Sequence, residues 1–213
     1  MKFLLIVMKK TIILTAIAAL MCCLPVNGAG PKRIAPMPPG VDIRNLRDCT
    51  VPASFTTEGF RWMGGNLRMT VFCRDLYGVA DVSRMEKGDT IIYASKPVVI
   101  DRIEVQDGSI RINGGLDEGG LCLSRNKGGN FVARMWDDHA TYTELGETEE
   151  ALDCGFIIID CGIDPRDPVD TIRTGQKPYI EDLKGSRREF NQYNTTVTLK
   201  DGMITEICRR WIP

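Results

Sequence analysis

The segment from Ile103 to Ile112, IEVQDGSIRI, constrains the fold more than any other part of the chain. At its centre lies Asp107-Gly108, a pair that suits a two-residue hairpin turn because both central positions of that turn need a positive φ. The turn fixes the register and places Val105 opposite Ile110. Apolar pairs then share one face and an opposite-charge pair lies on the other, which predicts an antiparallel β-hairpin with one buried face.

A second Asp-Gly pair, Asp201-Gly202, lies in the segment VTLKDGMITEI near the end of the chain. A two-residue turn there would place Val197 opposite Glu206, which is a poor pairing. A three-residue loop with Gly202 in the left-handed conformation is the alternative that we favour. It places four apolar side chains on one face: Val197, Leu199, Met203 and Ile207.

Five further segments have the composition of short strands, namely LRMTVFC, DTIIYA, LCLSR, FVARMW and GFIIID, and several are joined by Gly-rich turns. Helix is limited to short candidates near LYGVADVSRM and within DPVDTI…PYIEDLKG, where Asp167 can cap a helix that begins at Pro168. This pattern predicts a mainly β fold, all-β or β-rich α+β. We expect a single small barrel or sandwich of antiparallel strands with one or two short helices.

Residues 1–28 have the features of a secretory signal peptide. Lys9 and Lys10 precede the apolar run TIILTAIAALMCCL, and the small residue Gly28 precedes a predicted cleavage site before Ala29. The apolar run is shorter than the about 20 residues that a membrane helix needs, so we expect no transmembrane segment in the mature chain. The protein is therefore predicted to be exported, and to be periplasmic or secreted.

A lipoprotein is a less favoured alternative for the same N-terminal segment. Acylation would take place on Cys22 or Cys23. Met21, directly before Cys22, is large where lipoprotein signals have a small residue. We therefore favour cleavage of an ordinary signal peptide.

The remainder of the chain is predicted to be a short arm and one domain. Residues 29–40, AGPKRIAPMPPG, contain four prolines and little that could pack, so we expect a flexible arm there. Beyond it the chain has no second linker, no low-complexity tract and no repeat of fixed period. Residues 41–213 are therefore predicted to form a single β-rich domain.

The charge of the mature chain argues against a nucleic-acid partner. Removing residues 1–28 takes away three lysines and no acidic residue, so the formal charge changes from −1 to −4. A mildly acidic protein lacks the positive field that holds a phosphate backbone. We expect a ligand or a protein partner outside the cytoplasm and no binding of nucleic acid.

Six cysteines remain after cleavage: Cys49, Cys73, Cys122, Cys154, Cys161 and Cys208. Disulfides are permitted outside the cytoplasm. A bridge between Cys154 and Cys161 is excluded if the intervening GFIIID is a strand, because seven extended residues span about 23 Å and a bridge needs Cα atoms within about 7 Å. Disulfides among the other pairs and buried free thiols both remain open.

Several catalytic motifs are absent from the chain, including GxxxxGK[ST], GxGxxG, GxSxG and HExxH. Nucleotide-driven chemistry, Rossmann cofactors, the usual α/β-hydrolase nucleophile and the commonest zinc protease motif therefore have no support in the sequence. We assign no cofactor and no metal ligands.

The segment ARMWDDHATY contains His139, the only histidine in the chain. One interpretation makes His139 a general base or a metal ligand, with Asp137 or Asp138 orienting it or joining the site. With one histidine, a zinc site would need carboxylate or thiolate ligands as well. The alternative is that FVARMW is a strand and DDHA is the turn that ends it, since aspartate side chains bond nearby backbone in turns.

Five side chains are candidates for ligand binding. Glycine-flanked or strand-end aromatic residues can form a ligand platform, and here these are Trp62 in GFRWMGG, Trp136 and Tyr142. Asp117 and Glu118 lie in NGGLDEGG, where glycine allows a backbone to approach a ligand closely. The alternative is that the aromatic residues fill the core and the loop is only a turn between strands.

Three hypotheses for the function follow. The first is a non-enzymatic extracytoplasmic binding or interaction module with a loop-lined groove near Trp62 or Trp136. The second is a hydrolase or metal-dependent enzyme centred on His139 with Asp137 and Asp138, with carboxylates or a thiol converging on the imidazole. The third is a structural, envelope-associated protein in which a β edge pairs with a partner. We favour the first because no catalytic motif is recognised.

Overall fold

A computed structural model describes residues 30–37, 41–63, 65–136, 139–160, 171–174 and 190–210. The chain divides into two units, Met1–Pro31 and Lys32–Pro213. Every strand and helix given below belongs to the second unit. The predicted signal peptide of residues 1–28 lies outside the described residues.

The fold is mainly β, as the sequence predicts. Among the described residues the only α-helix is the four-residue α1 (Val79–Val82), and two single-turn 3₁₀ helices lie at Thr57–Gly59 and Leu116–Glu118. No described helix has both the length and the apolar character needed to cross a membrane. The strands are β1 (Arg33–Ile34), β2 (Cys49–Ser54), β3 (Phe60–Arg61), β4 (Asn66–Arg74), β5 (Leu76–Tyr77), β6 (Thr90–Tyr93), β7 (Lys96–Val99), β8 (Ile103–Gln106), β9 (Ser109–Ile112), β10 (Leu121–Arg125), β11 (Phe131–Ala133), β12 (Tyr142–Asp160), β13 (Thr171–Thr174), β14 (Thr195–Lys200) and β15 (Met203–Arg209).

Five strands close into a barrel because β12 is long enough to pair with two different neighbours. Residues Tyr142–Ala151 of β12 pair antiparallel with β4, and Ala151–Asp160 pair parallel with β15. The ring is completed by β15 with β14, β14 with β2, and β2 with β4, all antiparallel. The barrel therefore contains one parallel pair, where the sequence analysis expected antiparallel strands only.

The connectivity of this ring is that of a Greek-key barrel. If its strands are numbered along the chain, with β2 as first and β15 as fifth, the order around the ring is first, second, third, fifth, fourth. The third and fifth strands form the parallel pair. This is the strand order of the OB-fold, a five-stranded Greek-key barrel.

The interior of the barrel is apolar because residues alternate inward and outward along each strand. On β4, Leu67, Met69 and Val71 are buried, and the residues between them are partly or fully exposed. The other four strands contribute a second set of buried side chains to the same core: Val51, Ala53, Phe156, Ile158, Val197, Leu199, Ile204 and Ile207.

Residues 75–141, inserted between β4 and β12, form two further sheets. One has the order β5-β11-β10-β9-β8, and the other joins β6 and β7 to β1 from the start of the domain. Their inward side chains form a separate core, which includes Tyr77, Ile91, Ile112 and Leu123. The described residues of the unit Lys32–Pro213 thus form two hydrophobic cores, and the single domain of residues 41–213 stays a prediction.

The predicted hairpin at Ile103–Ile112 is confirmed as β8 and β9. Val105 lies opposite Ile110, and the turn residues Asp107 and Gly108 have φ values of 50° and 77°. Ile112 is fully buried, whereas Val105, near the turn, is exposed. The apolar face therefore contacts the core at its base and is open to solvent at its tip.

The predicted three-residue loop between β14 and β15 is wrong. Lys200 pairs with Met203, so Asp201-Gly202 is a two-residue turn, and both residues have positive φ. An extra residue at Thr205 forms a bulge, which restores Val197 opposite Ile207. The buried face consequently contains Ile204, and Met203 lies on the exposed side. The bulge makes a two-residue turn compatible with an apolar face.

Part of the segment expected to be a flexible arm, residues 29–40, belongs to the domain. Arg33–Ile34 form β1, which pairs parallel with Thr90–Ile91 of β6. The Met37 N–H donates to the Leu76 carbonyl at 2.6 Å. The apolar side chain of Ile34 is buried in the second core, and this burial attaches the segment to the inserted sheets.

One helix candidate is confirmed and the other is partly replaced by a strand. The helix α1 lies within LYGVADVSRM. Thr171–Thr174, which overlaps the second candidate, forms β13 and pairs with Ile157–Asp160. Three of its four residues are β-branched, which favours a strand. Asp167 and Pro168, the predicted start of that helix, lie outside the described residues.

No disulfide joins two of the described cysteines. Cys73 is buried and Cys154 is exposed. GFIIID is extended within β12, as the argument against a bridge from Cys154 to Cys161 requires. Cys161 itself lies outside the described residues.

Candidate functional site

Four aromatic rings form a continuous row from the end of the barrel into its core. Trp62 stacks on Phe60, with ring centroids 5.1 Å apart and planes 11° apart. Phe60 meets Phe55 edge to face at 5.7 Å, and Phe55 stacks on Phe190 at 4.5 Å. Stacked and edge-to-face pairs are the favourable geometries for aromatic rings. One face of the half-buried Trp62 indole is therefore fixed by the rings behind it.

The inner end of this aromatic row is a buried ion pair. The Arg209 guanidinium lies over the Phe190 ring, 4.6 Å from its centroid. Its Nε donates to Oδ1 of Asp160 at 2.9 Å, and its Nη2 donates to Oδ2. Both charged side chains are buried. Asp160 and Arg209 are opposite each other in the parallel strands β12 and β15, so the ion pair lies where the pairing of these two strands closes the barrel.

The loop that carries Trp62 and the turn between β14 and β15 lie on the two sides of the middle of β12. Ala151 of β12 pairs with Asn66, which follows the loop, and with Met203, which follows the turn. Met63, next to Trp62, is fully exposed, and Met203 is exposed as well. The two segments that border the middle of β12 therefore carry a fixed indole and two accessible methionines.

The outer face of the β4 and β12 pair is polar beside that loop. Arg68 donates to Glu147 across the strands, and Nδ2 of Asn66 donates to Oε1 of Glu149 at 3.2 Å. All four side chains end in planar hydrogen-bonding groups, and they include two carboxylates and one guanidinium. The face therefore offers many donors and acceptors without an excess of positive charge.

A second polar centre, which the sequence analysis missed, joins the barrel to the inserted sheets. The Asp75 side chain is fully buried. Its Oδ1 accepts from Oγ1 of Thr143 at 2.6 Å, and its Oδ2 accepts from the Ala94 N–H at 2.9 Å. The Ser95 N–H donates to Thr143 Oγ1 at 3.2 Å, and the Glu144 N–H donates to Ser95 Oγ at 2.8 Å.

These bonds hold a strained turn in place. Ala94 and Ser95 form the turn between β6 and β7 with φ values of 47° and 67°, although neither is glycine. Such a conformation is costly for residues with a Cβ and persists where the surroundings impose it. The contacts from Asp75 and Thr143 supply that constraint, so we assign this centre a structural role in joining the two cores.

Tyr142, a predicted binding residue, lies beside the polar centre around Asp75. Its ring contacts Tyr193 edge to face at 5.7 Å. Tyr93 is close to the same group: burial raises the pKa of its hydroxyl, and Asp75 and Tyr193 raise this pKa further. Tyr193 is exposed, whereas Tyr93 and Tyr142 are half-buried. The ring of Tyr142 therefore takes part in a packed tyrosine cluster.

His139 lies at the end of a chain reversal. Residues Arg134 and Ala140 form an isolated antiparallel bridge, and between them the Met135 N–H donates to the His139 carbonyl at 3.0 Å. Trp136 is exposed in this turn, and His139 is half-buried. This backbone geometry agrees with the turn interpretation of the segment.

Asp137 and Asp138 lie outside the described residues, so a catalytic role for His139 with these carboxylates stays a prediction. Within the described part of the chain, no three residues of the types His, Cys, Asp and Glu are grouped so as to hold a metal ion. Burial, and then Asp75, raise the pKa of the Cys73 thiol to about 11. This thiol is protonated at neutral pH and is unsuited to act as a nucleophile.

Asp117 and Glu118 form ion pairs within their own loop region. Asp117 contacts Nη2 of Arg111 at 2.6 Å, and Glu118 contacts Nη2 of Arg102 at 2.6 Å. A Cβ on Gly114 would lie 2.4 Å from the Glu118 carboxyl carbon, so the loop needs glycine for a close approach within the protein. Both carboxylates are also more than half exposed, at 62% and 61%, so a role for Asp117 and Glu118 in ligand binding stays a prediction.

The comparisons with known proteins provide no relative. No protein-family model, no curated protein and no solved structure matches this chain.

Proposed function

We propose that the chain is an exported, non-enzymatic binding module. Its barrel would bind an uncharged, hydroxyl-rich ligand such as an oligosaccharide at the end that carries Trp62. The observation that carries this proposal is the stacking of Trp62 on Phe60 in the loop between β3 and β4. A platform held rigidly before binding loses little side-chain entropy when a ligand contacts it.

The connectivity of the barrel supports the same location. In OB-type barrels, the second and third strands and the loops after the first and fourth strands form the ligand face. Here those elements are β4, β12, the loop with Trp62 and the turn at Asp201-Gly202. Fold alone does not determine function, so the proposal depends on the side chains present at this face.

The charge of the face favours an uncharged ligand over a nucleic acid. Arg68 is engaged by Glu147, and Glu149 lies beside them, so no cluster of positive charge is available among these residues to neutralise phosphates. Planar amide, carboxylate and guanidinium groups can instead form hydrogen bonds with hydroxyls. The aromatic ring would contact the apolar side of a sugar, as in ligand pockets that combine apolar walls with a few polar groups.

An array of immobilised neutral oligosaccharides, with single-stranded DNA as a second arm, tests the proposal. We expect retention of the mature wild-type protein on one or more neutral oligosaccharides and none on DNA. The variant Trp62→Ala should bind at least tenfold more weakly, and Trp62→Phe should retain part of the affinity. Trp136→Ala, which removes an exposed indole elsewhere, is the matched control and should bind like the wild type.

Two results would contradict the proposal. One is retention on DNA alone, and the other is equal binding by Trp62→Ala and the wild type. Because Trp62 packs on Phe60, circular dichroism and melting of each variant must show that the fold is retained. A folded Trp62→Ala variant that still binds would exclude this end of the barrel as the site.

A further inference from the structure

The edge of the five-stranded sheet at β8 is open within the described part of the chain. β8 pairs with β9 on one side and stands last in the order of its sheet. Hydrogen-bonded and non-hydrogen-bonded pairs alternate in an antiparallel ladder. The pair that flanks the two-residue turn, Gln106 and Ser109, is hydrogen-bonded. The N–H and C=O groups of Val105 and Ile103 therefore point away from β9, towards the open edge.

Three other edge strands among the described residues carry features that hinder pairing and that β8 lacks. The edge strand β7 contains Lys96 and Pro97, and proline and lysine are common protections on edge strands. β3 and β5 are only two residues long. β8, with the sequence IEVQ, has no proline, lysine or bulge. Its Val105 side chain is 76% exposed, so an apolar surface lies at this open edge.

We propose that β8 pairs antiparallel with β8 of a second copy of this chain, about a two-fold axis that passes beside Val105. The two Val105 residues would exchange a pair of backbone hydrogen bonds, and their side chains would cover each other. The five-stranded sheets of the two copies would then be continuous across the axis. An interface of this kind requires a strand that is complementary to itself.

The register is selected mainly by the exposed Val105. With Val105 on the axis, the two Val105 side chains cover each other, each Glu104 lies opposite Gln106, and the less exposed Ile103 lies opposite Asp107. With Glu104 on the axis, two carboxylates would face each other directly, which is unfavourable. With Ile103 on the axis, Glu104 would face Arg102 favourably, but the 76% exposed Val105 would face Asp101 and would have no apolar partner.

The side-chain contacts of Gln106 and Glu104 fit the first register. Oε1 of Gln106 accepts from Nη1 of Arg111 at 3.2 Å, which directs its amide NH₂ group away from Arg111. That group can donate to the Glu104 carboxylate of the second copy. Arg102 contacts Glu104 at 3.1 Å and would lie near the Asp107 turn of the second copy. Opposite charges would thus flank the central apolar pair.

The contact is short, because the turn at Asp107-Gly108 ends the strand. Interfaces below about 1,200 Å² are characteristic of weak or transient association. We therefore expect a dimer that dissociates on dilution. Its formation is independent of the ligand site proposed at Trp62.

Engineered cysteines test the register. In the proposed pairing, the Cα atoms of the two Val105 residues lie about 5.5 Å apart, the spacing of a hydrogen-bonded antiparallel pair, which permits a disulfide. In the other two registers they lie too far apart. The variant Val105→Cys, made with Cys154→Ser to remove an exposed native thiol, should form a covalent dimer on mild oxidation. Val99→Cys in the same background is the matched control, because Val99 is 54% exposed on the protected edge β7, and it should remain mainly monomeric.

Sedimentation equilibrium of the mature chain over a range of concentrations tests the dimer without cysteine chemistry. The wild type and Val99→Lys should show the same monomer–dimer equilibrium, and Val105→Lys should weaken it at least tenfold. Two results would overturn the proposal. One is a wild type that stays monomeric up to the highest attainable concentration, and the other is a dimer that Val105→Lys leaves unchanged.

Discussion

Replacing Asp160 with asparagine should destabilise the protein strongly, because it removes the carboxylate that accepts two hydrogen bonds from the buried Arg209 guanidinium. The exposed fractions of the two side chains are 0% for Asp160 and 2% for Arg209. The guanidinium has two donors directed at the carboxylate, Nε at 2.9 Å and Nη2. An asparagine has about the same shape but presents one oxygen and one NH₂ group, so one guanidinium donor then faces another donor.

The expected loss follows from the burial of the pair. Removing one partner of a buried ion pair costs about 3 to 5 kcal/mol. For a domain of this size, each kcal/mol lowers the melting temperature by about 2 to 4 °C, so Asp160→Asn should lower it by about 6 to 20 °C. Urea denaturation should show a lower midpoint with an unchanged slope, because the surface exposed on unfolding is the same.

The exposed pair of Arg68 and Glu147 is the matched control, with exposed fractions of 54% and 57%. Glu147→Gln should cost less than about 1 kcal/mol, because water screens an exposed pair. A double variant, Asp160→Leu with Arg209→Met, removes both buried charges and should recover much of the loss. The reasoning is refuted if Asp160→Asn melts within the same range as Glu147→Gln, or if the double variant is less stable than Asp160→Asn.

Three further predictions concern the polar centre around Asp75, the acid sensitivity and the histidine. Asp75→Ala should lower the free energy of unfolding by about 3 kcal/mol or more, since each of the two hydrogen bonds that its carboxylate accepts contributes about 1.5 kcal/mol or more. Chemical denaturation measures this loss. A loss no larger than that of Asp107→Ala, in an exposed turn, would contradict the prediction. Backbone N–H donors of Lys32 and Glu86 hold the pKa of Asp89 below its usual value. The stability that this carboxylate contributes above about pH 4 should therefore decline as the pH falls through the lowered pKa. Melting curves should show a smaller acid-induced loss of stability in Asp89→Asn than in the wild type, and identical curves would exclude this carboxyl as a source of the acid sensitivity. His139→Ala should leave metal content and stability unchanged if the segment is only a turn; a bound metal in the wild type that this variant loses would instead support the enzyme hypothesis.

The hairpin of β8 and β9 was predictable because its determinants are local. The turn pair, the apolar alternation and the cross-strand charges all lie within ten residues, Ile103–Ile112, and they agree with one register. The hairpin of β14 and β15 was predicted with the wrong loop, because the bulge at Thr205 lies in the strand and not in the turn. Nothing in the local sequence distinguishes a bulge from a longer loop when both restore the apolar face.

The closure of the barrel has no local signal. It depends on β12, which pairs with β4 through one half and with β15 through the other, and β15 follows about 50 residues later in the chain. GFIIID is recognisable as a short strand from its sequence, but the continuation of β12 back to Tyr142 is not, because the apolar alternation in that half is weak and the half is rich in acidic residues. The parallel pairing could not be inferred from either strand alone.

The candidate site was recognised in part. Trp62 was predicted from its glycine-flanked loop, but its support by Phe60, Phe55 and Phe190 combines residues far apart in the sequence. Asp75 had no signal at all, because a single aspartate after a strand resembles a turn residue. Its role is visible only where Ala94 and Thr143 meet its carboxylate.

The central claim, that Trp62 forms the ligand platform, is tested most directly by the indole N–H signals of the mature protein in a ¹H–¹⁵N spectrum. The Trp62 signal is assigned by its disappearance in Trp62→Phe, and neutral oligosaccharides are then titrated into the wild type. The account predicts that the Trp62 signal shifts and saturates with one of them while the Trp136 signal stays in place. A Trp62 signal that remains unmoved by every oligosaccharide would contradict it.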